Sequence, residues 1–130
     1  MSADLFYLTL TAGLAVVLWI PYIVGLVTSR GMLKAEDYKT LPKGGVPDWV
    51  ERANRVHINL VESLPSFAAL VLVAHVTNTA NGTTALAAAV FFWARVAHAV
   101  VFYLGVPYLR TLVFTAGFVA QLVIFWQIIG

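Results

Sequence analysis

Four polar residues stand where a membrane-like helix should have none. Arg52, Arg55, Asn59 and Glu62 lie in the stretch Glu51–Pro65, which opens a long apolar segment. At about 100° per residue they fall within roughly 80° of one another on a helix. Ser66 continues the stripe one turn later, while Val56, Leu60, Leu64 and Phe67 cover other faces. A polar stripe this dense is costly in an apolar segment unless it faces protein, water or a ligand.

The rest of the chain offers matching groups. Arg95 and His98 are three apart on one face of a third apolar segment. Arg110 and Thr111 open a fourth, and Phe114, Gly117 and Gln121 continue roughly along the Arg110 stripe. The excess is cationic: Arg52, Arg55, Arg95 and Arg110 against Glu51 and Glu62. Such a set suits an anionic ligand with carboxylates, because each guanidinium offers a planar fork to one of them. Glu62 can accept an amino group, and Asn59 can donate or accept. The bland alternative is that Arg and Glu neutralise each other between helices, an expensive way to hold a bundle.

Composition says what must position these groups. The 130 residues are 61% hydrophobic and 11% charged, with a net charge of +2. Mean hydropathy is +0.86. Soluble domains carry about 25% charged residues. Four apolar runs account for the difference, so the expected fold is all-α, an integral membrane four-helix bundle forming one domain over residues 1–130. The helices are expected at about 5–27, 49–76, 85–104 and 108–129, each long enough for a hydrocarbon core of ~30 Å.

No Lys or Arg precedes the first run, and that run is longer than a signal-peptide core, so it reads as a retained anchor. Pro21 should kink it. Residues 29–47 form a polar connection with Arg30, Lys34, Lys39 and Lys43. Four basic residues place that loop on the cytoplasmic side and both termini opposite. Asp48 and Glu51 have the spacing of a capping box at the start of the second helix. Residues 77–84 make an uncharged turn containing the sequon Asn81-Gly82-Thr83, and so tight a turn against the membrane argues against its use.

With this topology the polar groups share one half of the bilayer. From the helix rise, Arg55 and Asn59 lie ~10–16 Å in, His98 and Arg95 ~9–13 Å, and Arg110 ~4 Å. Other chemistries fit less well. The basic residues do not interleave with exposed aromatics, so no nucleic-acid partner is expected. His57, His75 and His98 lack metal-ligand spacing, and there is no Gly-rich phosphate loop. With no cysteine, any thiol chemistry must use a thiol brought by a cofactor.

These residues carry a resemblance. Glu51, Arg52, Arg55, His57, Asn59, Glu62 and Pro65 reproduce a second-helix pattern of the MAPEG family, membrane-associated proteins in eicosanoid and glutathione metabolism. Arg95-Val96-Ala97-His98 matches that family's third helix, and Arg110-Thr111 stands where it has an Arg-Ser pair. The chain is most similar to the microsomal prostaglandin E synthase and glutathione transferase branch. The resemblance implies a homotrimer with glutathione between neighbours near the cytoplasmic side, acting on lipophilic electrophiles among the membrane lipids. It makes Arg52, Arg55, Asn59, Glu62, Arg95 and His98 the candidate glutathione-binding set, and Arg110 with Thr111 the pair that stabilises the thiolate. Two positions depart from the branch: Ile58 replaces an arginine and Phe114 a tyrosine. They motivate a second reading, a non-catalytic lipid-binding scaffold. A small transporter is disfavoured, because the second helix beyond Ser66 is almost wholly apolar.

Overall fold

The computed structural model describes the backbone of residues 2–30, 47–104 and 108–130 and, apart from 29 and 30, their side chains. Most of the expected basic connection, and the turn at 105–107, lie outside the described residues. Four helices follow in order: α1 (Ala3–Arg30), α2 (Asp48–Val76), α3 (Gly82–Leu104) and α4 (Leu109–Ile129). All four are long and apolar enough to cross a membrane, so the chain is an all-α, multi-pass integral membrane protein. Helix α3 packs on α4 and α1 on α2, while α1 also meets α3 and α2 meets both α3 and α4. Among the described residues α1 and α4 make no contact, which sets them at opposite corners.

The core has two centres. Near the α2 C-terminal half, Phe67 and Phe91 stack nearly parallel at 3.9 Å, with Val71, Ala87, Ala88, Ala120 and Ile124 buried around them. The small alanines let α3 approach its neighbours closely. The second centre joins Leu18, Val56, Leu60, Ala99 and Phe102. Together they bury one face of α2 and leave the opposite face, with Glu51, Arg55, Ile58 and Glu62, exposed. Gly25 permits the α1–α2 contact: a Cβ there would lie 2.6 Å from both Trp49 and Val50. The buried Thr11 hydroxyl satisfies itself within its own helix by donating to the Tyr7 carbonyl at 2.7 Å. Both internal prolines, Pro21 and Pro65, are carried inside continuous helices.

Helix ends depart from expectation in two places. Pro47, not Asp48, caps α2, and no side chain bonds the cap. The first turn is closed instead by the Val50 N–H donating to the Pro47 carbonyl at 3.0 Å. Asp48 and Glu51 then lie in the first turn, where a carboxylate complements the helix dipole without forming a capping box. Helix α3 starts at Gly82 rather than near 85. Its cap is reciprocal: Asn81 Oδ1 accepts from the Thr84 N–H at 3.0 Å, and Thr84 Oγ1 accepts from the Asn81 N–H at 2.8 Å. Asn78, at φ 59°, turns the chain between α2 and α3 in the left-handed region that asparagine tolerates.

The α3 cap also ties three helices together at the pole away from Arg110. The Thr84 hydroxyl donates to the Asp4 carboxylate at 2.6 Å, and the Asn81 amide donates to Gln127 Oε1 at 2.9 Å. Asp4 is only 5% exposed, so losing its donor leaves a buried carboxylate short of a partner. Thr84→Val is therefore expected to lower unfolding stability in detergent by about 1–3 kcal/mol, while Thr84→Ser stays near wild type.

Candidate functional site

One pocket draws on three helices. It has a volume of about 360 Å³ and is lined by Arg55 and Asn59 from α2, His98 and Phe102 from α3, and Arg110, Thr111 and Phe114 from α4. Each helix contributes residues one turn apart: 55 and 59, 98 and 102, 110 or 111 and 114. That is the spacing at which helical side chains share a face. The second core centre backs this wall, since Phe102 belongs to both.

The polar groups of this pocket are unspent. Among the described residues, Arg55, Arg110 and His98 make no ion pair or hydrogen bond, and neither does the side chain of Asn59. Thr115, one turn on, donates to the Thr111 carbonyl at 2.8 Å, while the Thr111 hydroxyl has no partner among the described residues. Arg110 holds its guanidinium 5.5 Å from the Phe102 ring, and His98 stands 5.6 Å from the same ring. Phe102 thus seats both groups by its π face.

Three of the residues expected at the site do not line the pocket. Arg52 lies a turn nearer the start of α2, with its Nε buried and unpartnered. Glu62 lies about a turn beyond Asn59 and is exposed. Arg95 is 3% exposed, and its Nε and Nη2 are buried without a hydrogen-bond partner. Its guanidinium stands 6.0 Å from the Phe91 ring and 5.7 Å from the Phe114 ring. Phe114 therefore has Arg95 against its ring while forming part of the pocket wall. No described group of three or more His, Asp or Glu residues is placed to hold a metal ion.

The sequence reading missed Phe102. Its signal was present, four residues after His98 on the same helix face. The reading had singled out polar groups, and Phe102 acts by packing beneath two of them. Ile58 is 41% exposed on α2, away from the pocket.

The MAPEG family model matches residues 6–130, nearly the whole chain and all four helices. The chain belongs to the MAPEG family. No curated protein sequence and no solved structure matches it. For this MAPEG protein the match covers every residue of the pocket, from Arg55 to Phe114. The chemistry of the site is consistent with an anionic ligand: two lining guanidinium groups, one amide, one hydroxyl and one imidazole, none with a side-chain hydrogen bond or ion pair among the described residues.

Proposed function

We propose that the protein is a glutathione-dependent transferase or peroxidase acting on lipophilic electrophiles that partition into the bilayer. The observation that carries this reading is the convergence of Arg55, Asn59, Arg110 and Thr111 on one pocket, with no side-chain partner among the described residues. Bound glutathione supplies the nucleophilic thiol that a chain without cysteine lacks. Arg55 offers its fork to a carboxylate, and Asn59 hydrogen-bonds the peptide backbone. Arg110 places a cation beside the sulfur and favours its ionised form, while the Thr111 hydroxyl donates to it. Arg95 adds positive charge beneath Phe114. His98 orients by its contact with Phe102.

The reading places the pocket near the cytoplasmic face and the protein in the prostaglandin E synthase and glutathione transferase branch. It assembles the protein as a homotrimer. Arg55 and Glu62 are exposed on a single chain at membrane depth, where charge needs protein cover. A neighbour on that α2 face encloses the pocket and gives Glu62 and Arg52 a route to the same ligand.

Purified protein with glutathione and chlorodinitrobenzene should consume glutathione faster than the uncatalysed reaction. No acceleration with several electrophiles and hydroperoxides rejects the catalytic reading. Phe114 in the pocket wall favours one alternative: it puts an apolar ring where the branch has a phenol, which suits a lipid-binding scaffold. A scaffold binds lipid without glutathione raising its melting temperature.

A further inference from the structure

Two turns deeper than the pocket, a polar contact joins two of its three helices, α2 and α4. The Ser66 hydroxyl on α2 donates to Gln121 Oε1 on α4 at 2.5 Å. Ser66 stands seven residues beyond Asn59, and Gln121 seven residues beyond Phe114. Seven residues return a helix to within about 20° of the same direction and advance it by about 10 Å. The pair therefore continues the line of the pocket toward the middle of the bilayer. The residues next to the pair in sequence, Phe67 and Ala120, are both in the core.

The contact is incomplete in a telling way. Ser66 is also 3.0 Å from the Ser63 carbonyl, so its lone proton has two acceptors to choose from. Gln121 uses its oxygen on Ser66, and its amide nitrogen bonds nothing among the described residues. Ser66 is exposed and Gln121 half-buried. Two N–H donors without an acceptor at mid-membrane are expensive, because hydrocarbon offers them none. Thr11 and Thr115, by contrast, spend their only proton within their own helices and leave no donor open. Gln121 instead presents a fixed oxygen to Ser66, which holds the amide plane and turns both donors away from that bond.

We propose that Gln121, held by Ser66, is a specificity residue for the second substrate. Its amide N–H groups take a hydrogen-bond-accepting oxygen, a ketone or ether, carried about 10 Å from the reacting carbon of a lipophilic electrophile. The inference rests on the reading of the Arg55–Arg110 pocket as the place where a thiol meets that electrophile. A substrate lacking the oxygen leaves the donors unpaired, which is the arrangement that discriminates most strongly between close analogues.

The test uses full-length protein in nanodiscs and two substrates. One is a long-chain 2-alkenal, the other the same alkenal with a keto group near its far end. In either, the thiol adds across the double bond, sulfur to the β-carbon and hydrogen to the α-carbon. Wild type should prefer the keto compound by about fivefold in kcat/KM, the worth of one hydrogen bond. Gln121→Met should erase that preference, and Ser66→Ala should reduce it. Unreactive partners, a long-chain alkane and its keto derivative, give a readout without turnover: only the ketone should raise the melting temperature, and not in Gln121→Met. If no electrophile is conjugated but this thermal difference holds, the subsite stands and the thiol reading falls. Equal treatment of both compounds by wild type in both assays overturns the proposal. So does a Gln121→Met protein that melts lower yet keeps the preference, because Gln121 would then only join α2 to α4, or meet a second copy of the chain.

Discussion

Arg110→Ala lowers the rate of glutathione consumption by on the order of 10²-fold, the cost of removing one preorganised charge-stabilising group. Affinity for an S-alkylated glutathione stays nearly intact. The reasoning starts from position. Arg110 opens α4, lines the pocket beside Thr111, and makes no ion pair among the described residues. Its guanidinium stands 5.5 Å from the Phe102 ring, a contact that does not neutralise it. A free cation beside a thiol stabilises the thiolate and lowers its pKa from an ordinary value of about 8.5. The sign follows. With Arg110 present, the reactive thiolate persists to lower pH, and without it the rising limb of the pH–rate profile moves to higher pH. An alkylated sulfur has no proton to lose, so its binding does not report this interaction. A loss of S-alkylglutathione affinity with an unchanged pH profile would make Arg110 a ligand clamp instead.

Arg55→Ala gives the complementary result. It weakens glutathione and its S-alkyl derivative alike, by about 1.5–3 kcal/mol, the range for hydrogen bonds to a charged group. The pH profile keeps its shape. Arg55 is exposed on α2 and has no acidic partner among the described residues, so its fork is available to a carboxylate. Lysine at this position should recover only part of the loss, because a point charge cannot make the bidentate contact. Equilibrium binding of S-alkylglutathione to Arg55→Ala, Arg55→Lys and wild type checks the order.

The bundle was legible in the sequence because its signal is bulk hydrophobicity interrupted by breakers, and four spans follow from length alone. Helix ends were less so. Asn81-Gly82-Thr83-Thr84 has the composition of a turn, yet its first and last residues cap α3 reciprocally and anchor Asp4. Asp48 with Glu51 has the composition of a cap, yet Pro47 takes that place. In both cases local residue types allow two arrangements; a bond to Asp4 of α1 accompanies the one at α3, and a local Val50–Pro47 backbone bond the one at α2.

At the site, the helical wheel puts the polar residues of α2 on one side but does not say which of them line the pocket. Arg52, Arg55, Asn59 and Glu62 share a face, and only Arg55 and Asn59 meet the residues of α3 and α4. Which of them do so depends on where α4 begins, at Leu109, and so on a turn rather than on α2's own spacing. Phe102 and the Ser66–Gln121 bond were hidden for a related reason. Each gains its role from a partner on another helix, which the α2 or α3 pattern cannot contain.

The central claim is that the pocket of Arg55, Asn59, Arg110 and Thr111 holds glutathione with its sulfur ionised beside Arg110. Ultraviolet difference absorbance of thiolate, followed against pH with the purified protein and bound glutathione, tests it most directly. The account predicts a bound thiol that ionises well below the pH at which free glutathione does, and a return toward the solution value in Arg110→Ala. A bound thiol that titrates as it does in solution, or the same titration in wild type and Arg110→Ala, contradicts it.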